Sequence, residues 1–367
     1  MPHIDRHHHY DAIIAGAGVI GLSCAWRAAR NGARVVVVDR AKPGSGATAV
    51  AAGMLAPVGE LDFGDAGLVE MTTASAGLYP AFVAEIEAAG GLAVGYSRCG
   101  ALHVALDRDE AAELRRTLDL QLSLGLESEW LSARDCRLLE PGLSPSLHGG
   151  IHVAGDSAVD PRALSAALLA AVVAEGVEVV TGDEIERALI SGDRIEGIAT
   201  GRGELRGAAV VLATGAWSGQ APWLPAQARP VVRPVKGQIL ELGSAAEEPV
   251  CERILASERV YVVPRADGRL IIGATVEEKG FDTRVTAGGV HELLREAYRL
   301  LPDVDELELL GAAAGLRPGT PDNLPLVGPG ALRGLVLATG HHRNGILLAP
   351  YTAERVAELL ASAQVAA

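Results

Sequence analysis

The stretch Ala12-Ile13-Ile14-Ala15 runs without a break into Gly16-Ala17-Gly18-Val19-Ile20-Gly21, and this junction restricts the folds open to the chain more than anything else in it. Four small or apolar residues in a row read as a short strand buried on both faces. The glycines that follow, at Gly-x-Gly-x-x-Gly spacing, each answer a steric demand. Gly16 permits a tight turn, Gly18 lets a diphosphate reach the backbone, and Gly21 lets the next helix pack closely on the strand. The pattern then predicts a helix over Leu22 to Asn31, with Gly32 as its C′ residue, and a second buried strand from Arg34 to Val38 ending at Asp39. Asp39 stands 18 residues beyond Gly21, where a carboxylate reaches ribose hydroxyls. A glycine turn alone would say little. Strand, turn, helix, strand and acid in one register predict the opening βαβ unit of a Rossmann-like, dinucleotide-binding domain.

The segment after that strand bears on which dinucleotide. Residues 41–57, AKPGSGATAVAAGMLAP, carry small residue after small residue, with Thr48, Gly53 and Met54 among them. A nicotinamide-binding domain ordinarily starts its next amphipathic helix soon after the second strand. A long Gly/Ala/Ser/Thr run instead suits backbone laid against an extended ligand, here the diphosphate, ribityl chain and isoalloxazine of FAD. A flexible loop is the other reading, but one so rich in Ala and poor in charge would be badly solvated. The run holds neither His nor Cys, so the flavin is expected to be non-covalent.

Bulk properties exclude other classes. At 367 residues the chain is long enough for two domains, and 49% hydrophobic against 21% charged residues describes a globular protein. The formal net charge is −14, with Lys and Arg scattered singly, which argues against nucleic acid as a partner. Cys24, Cys99, Cys136 and Cys251 lie far apart, with no Cys-x-x-Cys, and read as reduced core residues of a cytoplasmic protein. His103, His148, His152 and His291 are isolated, and no metal site is expected. The opening MPHIDRHHHYDAII has no cleavable signal pattern, and His7 to His9 read equally as native or as part of a tag. No apolar run approaches the roughly 18 residues of a membrane span.

Seven motifs, in order along almost the whole chain, carry a family resemblance: GAGVIG (16–21), AAGML (51–55), VLATGAWS (211–218), PVKGQ (234–238), YVVPR (261–265), GLRPGTPDNLPLVG (315–328) and GHHRNGILLAP (340–350). With them the chain resembles the FAD-dependent amine and amino acid oxidases of the D-amino acid oxidase superfamily, and among these the glycine oxidases of ThiO type. The resemblance implies cofactor contacts at Gly16, Gly18, Val19, Ile20, Gly21, Asp39 and Arg40, then at Ala47, Thr48, Ala52, Gly53 and Met54. Backbone near Ile185 would hold the adenine, and Gly215 and His341, His342, Arg343, Asn344, Gly345, Ile346 and Leu347 would complete the flavin site. It also implies a homo-oligomer, with a tetramer as one form.

The chain then reads as two interleaved modules of an α/β fold with α+β character. The FAD-binding domain is expected at 1–92, 147–225 and 310–367, and an antiparallel-sheet substrate domain at 93–146 and 226–309. Asp160 and Pro161 cap and start a helix that runs to Glu175, with Gly176 as its stop. In RVYVVPR-ADG-RLIIGAT, Ala266-Asp267-Gly268 reads as a short hairpin loop.

Three side chains stand out as substrate ligands. Arg317, after a small-residue run and before a proline, is either a surface cation on a turn or one aimed into a cleft. The resemblance makes it the anchor of the substrate carboxylate, a task suited to the planar guanidinium fork. Tyr261 reads on its strand pattern as a core tyrosine, whereas the family places a tyrosine here beside the same carboxylate. Arg343 is implied to line the substrate site, and His342 stands where the family often carries an aromatic. The apolar series Ala349, Ala353, Val356 and Leu360 predicts a helix from Ile346 onward. Its N-terminus would face the flavin's pyrimidine edge and stabilise the charge that develops there on reduction, with Arg343 and the histidines on the substrate side.

The expected function is flavin-dependent oxidative deamination of glycine, small amines or D-amino acids. Hydride would leave Cα for the flavin and dioxygen would be reduced to hydrogen peroxide, the imine supplying thiamine thiazole synthesis. Hydride transfer needs positioning more than a side-chain base, and no catalytic acid–base residue is assigned. A D-amino acid dehydrogenase, a sarcosine-type N-methyl amine oxidase and a non-catalytic flavin-binding partner subunit are the alternatives.

Overall fold

Alternate residues of the first strand, His9–Ala15, belong to two different cores. Ala12 and Ile14 pack with Val35, Val37, Val211 and Val336 on one side, and Ile13 and Ala15 with Val36, Val38, Val210 and Leu212 on the other. This burial on both faces is what an almost unbroken apolar strand sequence dictates. The computed structural model describes residues 9–59, 66–243 and 249–365, so His7 and His8 lie outside the described residues.

Around the first strand the sheet runs Leu326–Pro329, Leu335–Thr339, Gly203–Leu212, His9–Ala15, Val35–Asp39, Glu178–Thr181, and all but the first are parallel. Helices Val19–Arg30, Ala66–Gly90, Pro161–Ala174 and Ala349–Val365 cover one face. The antiparallel strands Ile185–Ser191 and Arg194–Thr200 extend the sheet, and their apolar residues join the core of the other face. This is the Rossmann-like half.

The second eight-stranded sheet runs Glu308–Gly319, Arg233–Gly243, Arg269–Gly273, Tyr261–Pro264, Ile254–Ala256, Ala101–Val104, Gly150–Val153, Glu129–Leu131. Its pairs are antiparallel except where Ile254–Ala256 lies parallel to Ala101–Val104. Helix Ala287–Leu300 covers the outer face through Leu293, Ala297 and Leu300, packed with Leu240, Leu242 and Ile272. This sheet takes in residues 150–153 and keeps the chain to Gly319, so by sheet membership the crossings lie beyond the 146/147 and 309/310 boundaries.

Several elements differ from the sequence pattern for identifiable reasons. The first helix begins at Val19 rather than Leu22, because Gly18 is its N-cap and Leu22 N already donates to Gly18 O at 2.9 Å. The last two glycine-motif residues before Gly21 are therefore the helix's own first turn. The C-terminal helix begins at Ala349, not Ile346, after a 3₁₀ turn at His342–Asn344. Pro350 falls in the first turn of the helix as it stands, where a proline's missing N–H leaves no intrahelical bond unmade. The helix Pro161–Ala174 does form, capped by the Asp160 carboxylate on Arg162 N and Ala163 N. The long helix Ala66–Gly90, which carries Pro80 in its interior, has no counterpart in the sequence pattern. Among the described residues no helix is long and apolar enough to cross a membrane. Cys24, Cys136 and Cys251 are buried and Cys99 partly so, all as free thiols.

Candidate active site

A cavity of about 970 Å³ lies between the C-terminal ends of the parallel strands and the inner face of the second sheet, where an open α/β sheet ordinarily receives its ligand. The glycine turn forms one wall. Gly16 has φ +110°, and a Cβ there would overlap the Ala213 carbonyl. A Cβ at Gly21 would overlap the Gly16 carbonyl oxygen, so Gly21 serves strand–helix contact and is not on the cavity wall. Gly18 differs from both. A Cβ there would meet only Thr48 Oγ1, at 3.6 Å, and the surface it would cover is cavity. Val19 N donates to Thr48 Oγ1 (3.1 Å), which ties the helix start to the small-residue loop. Asp39 lines the cavity with both oxygens engaged, Oδ2 accepting from Ala17 N (2.7 Å) and Oδ1 from Ala41 N (2.8 Å).

The loop through Ala47, Thr48, Ala52, Gly53 and Met54 lies along the same cavity and is fastened by groups the sequence did not single out. Arg265, the last residue of YVVPR, donates to Ala52 O, and Arg162 Nε donates to Ala49 O (3.1 Å). Val159 N donates to Gly53 O (2.9 Å), and Gly53 at φ +78° makes the bend. At the far end, Ile185 and Gly215 line the cavity and Arg40 lies over the Trp217 ring, 4.8 Å from its centroid.

The opposite end is built by the second sheet. Arg317 lies within the strand Glu308–Gly319, not on a turn, and pairs in register with Val235. Its Nη1 donates to Thr275 O (3.1 Å) and weakly to Lys236 O (3.5 Å). No carboxylate among the described residues pairs with it, so backbone carbonyls orient the guanidinium and leave its charge for another anion. The group lies flat over Gly237 of the next strand, where a Cβ would stand 2.6 Å from the guanidinium carbon. Tyr261 lies over Gly273 in the same way, directly opposite in register, with a Cβ there 2.4 Å from its ring. Both side chains line the cavity, and both occupy space that only glycine leaves open. Gly237→Ala is accordingly expected to raise the KM for a carboxylate-bearing substrate by about tenfold or more with FAD retained, read by steady-state kinetics and flavin absorbance.

The segment 340–348 closes the cavity. Gly340 (φ +78°) and His342 (φ +47°) turn the chain, and His341, His342, Arg343, Gly345 and Ile346 line the wall. Asn344 and Leu347 do not: Asn344 is buried, and Leu347 belongs to the main core. The N–H groups of Gly345 and Ile346 donate to no backbone carbonyl among the described residues, which leaves them available to an acceptor in the cavity. The turn is clamped from behind by the helix Ala66–Gly90, with Tyr79 Oη on Ile346 O (2.9 Å) and Ser75 Oγ on Leu347 O (2.6 Å).

The two histidines part company. The His341 ring is buried and its Nε2 meets Thr352 Oγ1 at 2.9 Å, so it braces the C-terminal helix rather than standing on the substrate side. Burial pushes its pKa down to about 3. His342 is half-buried, and burial, with Arg317, Arg343 and Arg233 nearby, pushes it down to about 4. Arg343 is exposed at the cavity rim. A histidine held neutral in the fold but free to protonate when unfolded lowers stability as pH falls below about 6.5. For His341 the loss is about 1.4 kcal/mol per pH unit down toward its folded value. The melting temperature should therefore drop steeply from about pH 6 to about pH 4, and less steeply in His341→Gln, measured by calorimetry.

Flavin fits this surface on its own geometry. The open backbone at Gly18 suits a diphosphate, and the amides of Gly345 and Ile346 suit an acceptor edge. No group of three or more His, Cys, Asp or Glu among the described residues is placed to hold a metal.

Comparisons with known proteins agree with that fit. The family model described as FAD dependent oxidoreductase matches residues 11–359. Glycine oxidase of Geobacillus kaustophilus is 35% identical over 96% of this chain and 93% of its own. Its crystal structure superposes with a TM-score of 0.91 at 34% identity, covering 97% of this chain and 95% of that one. The bifunctional protein ThiO/ThiG of Trichormus variabilis is 37% identical over 95% of this chain, which spans about half of that relative (52%). The hydrogen cyanide synthase subunit HcnC of Pseudomonas aeruginosa is 32% identical over 94% of this chain and 90% of its own.

Proposed function

The chain belongs to the family of FAD-dependent oxidoreductases, and from that premise we propose that it oxidises glycine and small amino acids at the cavity end built by Arg317 and Tyr261. The observation that carries this reading is Arg317 itself, a cation held among the described residues by carbonyls alone at the cavity wall. The substrate carboxylate lies on its free N–H groups, with the Tyr261 hydroxyl donating beside them. Gly237 and Gly273 give both groups room to lie flat against the sheet. Bound FAD supplies the hydride acceptor and passes the electrons to dioxygen. The imine product hydrolyses to an oxo acid and ammonia, or serves thiamine thiazole synthesis, as the likeness to the ThiO/ThiG proteins suggests.

The cofactor is held by the glycine turn, the loop 47–54 and the Gly345–Ile346 amides, without a covalent bond. Gly21, Asn344 and Leu347 support those walls from behind. We place the protein in the cytoplasm as a homo-oligomer, with the antiparallel sheet as its substrate domain. Oxygen uptake with glycine, sarcosine and D-alanine, together with peroxide assay, tests the reading. Turnover with a quinone and none with dioxygen would replace it with a dehydrogenase. The likeness to a hydrogen cyanide synthase subunit supports a second reading, in which the chain works in a hetero-oligomer and glycine is carried on to cyanide. Cyanide among the products would favour it.

A further inference from the structure

A polar network lies on the outer face of the second sheet, behind Arg317, where the oxidation itself uses nothing. In the strand Arg233–Gly243 the pleat sends Gly237 toward the cavity and Lys236 and Gln238 the other way, Gln238 under helix Ala287–Leu300. Lys236 is almost wholly buried, and its Nζ stands 3.4 Å from Glu277 Oε2. Glu277 Oε1 accepts from Thr275 Oγ1 (2.7 Å) and from Gln238 Nε2 (2.6 Å). Thr275 Oγ1 in turn accepts from Gln238 N (2.9 Å). Gln238 also grips the cap of the outer helix, its Oε1 accepting from Thr286 N (2.8 Å) and its Nε2 donating to Thr286 Oγ1 (3.1 Å).

The bonds to Thr275 and Glu277 fix the segment 274–277, which leaves the strand Arg269–Gly273 and crosses to Arg233–Gly243. Lys236 and Glu277 exchange both backbone bonds, at 2.9 Å each. The carbonyls that orient Arg317 are those of Thr275 and Lys236, the residues whose side chains enter the network. A guanidinium held by two neutral carbonyls has no ion pair to set its plane, so its aim is as good as the placement of those carbonyls. We propose that Gln238, Thr275 and Glu277 are positioning residues that set the plane of the Arg317 guanidinium from the opposite face of the sheet, and so determine carboxylate affinity without touching substrate. The inference rests on the reading of Arg317 as carboxylate anchor.

Thr275→Val removes the hydroxyl at nearly constant shape. In the FAD-loaded protein, acetate binding followed by perturbation of the flavin spectrum should weaken by about tenfold, and the KM for glycine should rise by a like factor while kcat falls less than about threefold. Thr275→Ser should restore both, and FAD content should match wild type. Should Thr275→Val not fold, Lys236→Met/Glu277→Gln removes the charge pair without stranding a buried lysine, and the same weakening of acetate is expected. Acetate affinity within about twofold of wild type in whichever variant carries FAD would overturn the proposal, as would a fall confined to kcat. Arg317→Ala separates the two levels. If it leaves acetate binding unchanged, the anchor reading falls; if it abolishes binding while the network variants do not, only the positioning role falls.

Discussion

Arg317→Ala is expected to lower the apparent affinity for glycine by about two orders of magnitude or more while the protein stays yellow. The side chain makes no ion pair with a protein carboxylate among the described residues, so its removal leaves no buried acid stranded. The carbonyls of Thr275 and Lys236 lose a donor, a modest cost beside the loss of a charge-assisted contact worth roughly 2–5 kcal/mol to a bound carboxylate. Arg317→Lys should recover part of the affinity, since a point charge cannot reproduce the fork. The loss should fall equally on small carboxylate inhibitors and much less on an amine without a carboxylate. Unchanged glycine kinetics and unchanged inhibition by carboxylates would move the anchor elsewhere, with Arg343 the next residue to replace.

The second large effect is at Gly18. Among the three motif glycines it alone has room for a side chain: Gly16 and Gly21 would collide with backbone, whereas a Cβ on Gly18 finds one hydroxyl at ordinary contact distance. Its backbone, at φ −75° and ψ 178°, is one that any residue adopts. Gly18→Val should therefore fold, with a circular dichroism spectrum close to wild type, and purify colourless because the side chain fills the space of the diphosphate. The wild type should carry about one FAD per chain, released into the supernatant on acid precipitation. A yellow Gly18→Val with full FAD content would show that the diphosphate lies elsewhere.

What could be read in advance follows from how local each signal is. The βαβ unit rests on contacts within some thirty residues, and there the spacing of Gly16, Gly18, Gly21 and Asp39 fixed strand, turn and helix to within a few positions. Arg317 and Tyr261 were found through motif resemblance, but what shapes them was not. Gly237 and Gly273 matter because strand register sets them under those two side chains, and register between strands distant in sequence is invisible to a pattern. Lys236 shows the same limit, since a lysine in a strand pattern reads as solvent-facing, whereas here it is buried beside Glu277. Pro350 favours a helix start just before it, since a proline fits best in a helix's first turn, and that preference is legible in the sequence. His341 and His342 are neighbours in sequence with opposite surroundings, a divergence created by the left-handed turn at His342.

The proposed activity requires a substrate that reduces the bound flavin directly, and mixing the purified holoprotein with glycine in the absence of oxygen tests that most closely. The visible flavin absorption should bleach on addition of glycine and return on admission of air with formation of hydrogen peroxide. A flavin that keeps its colour with glycine, sarcosine and D-alanine alike, while still accepting electrons from dithionite, would contradict it.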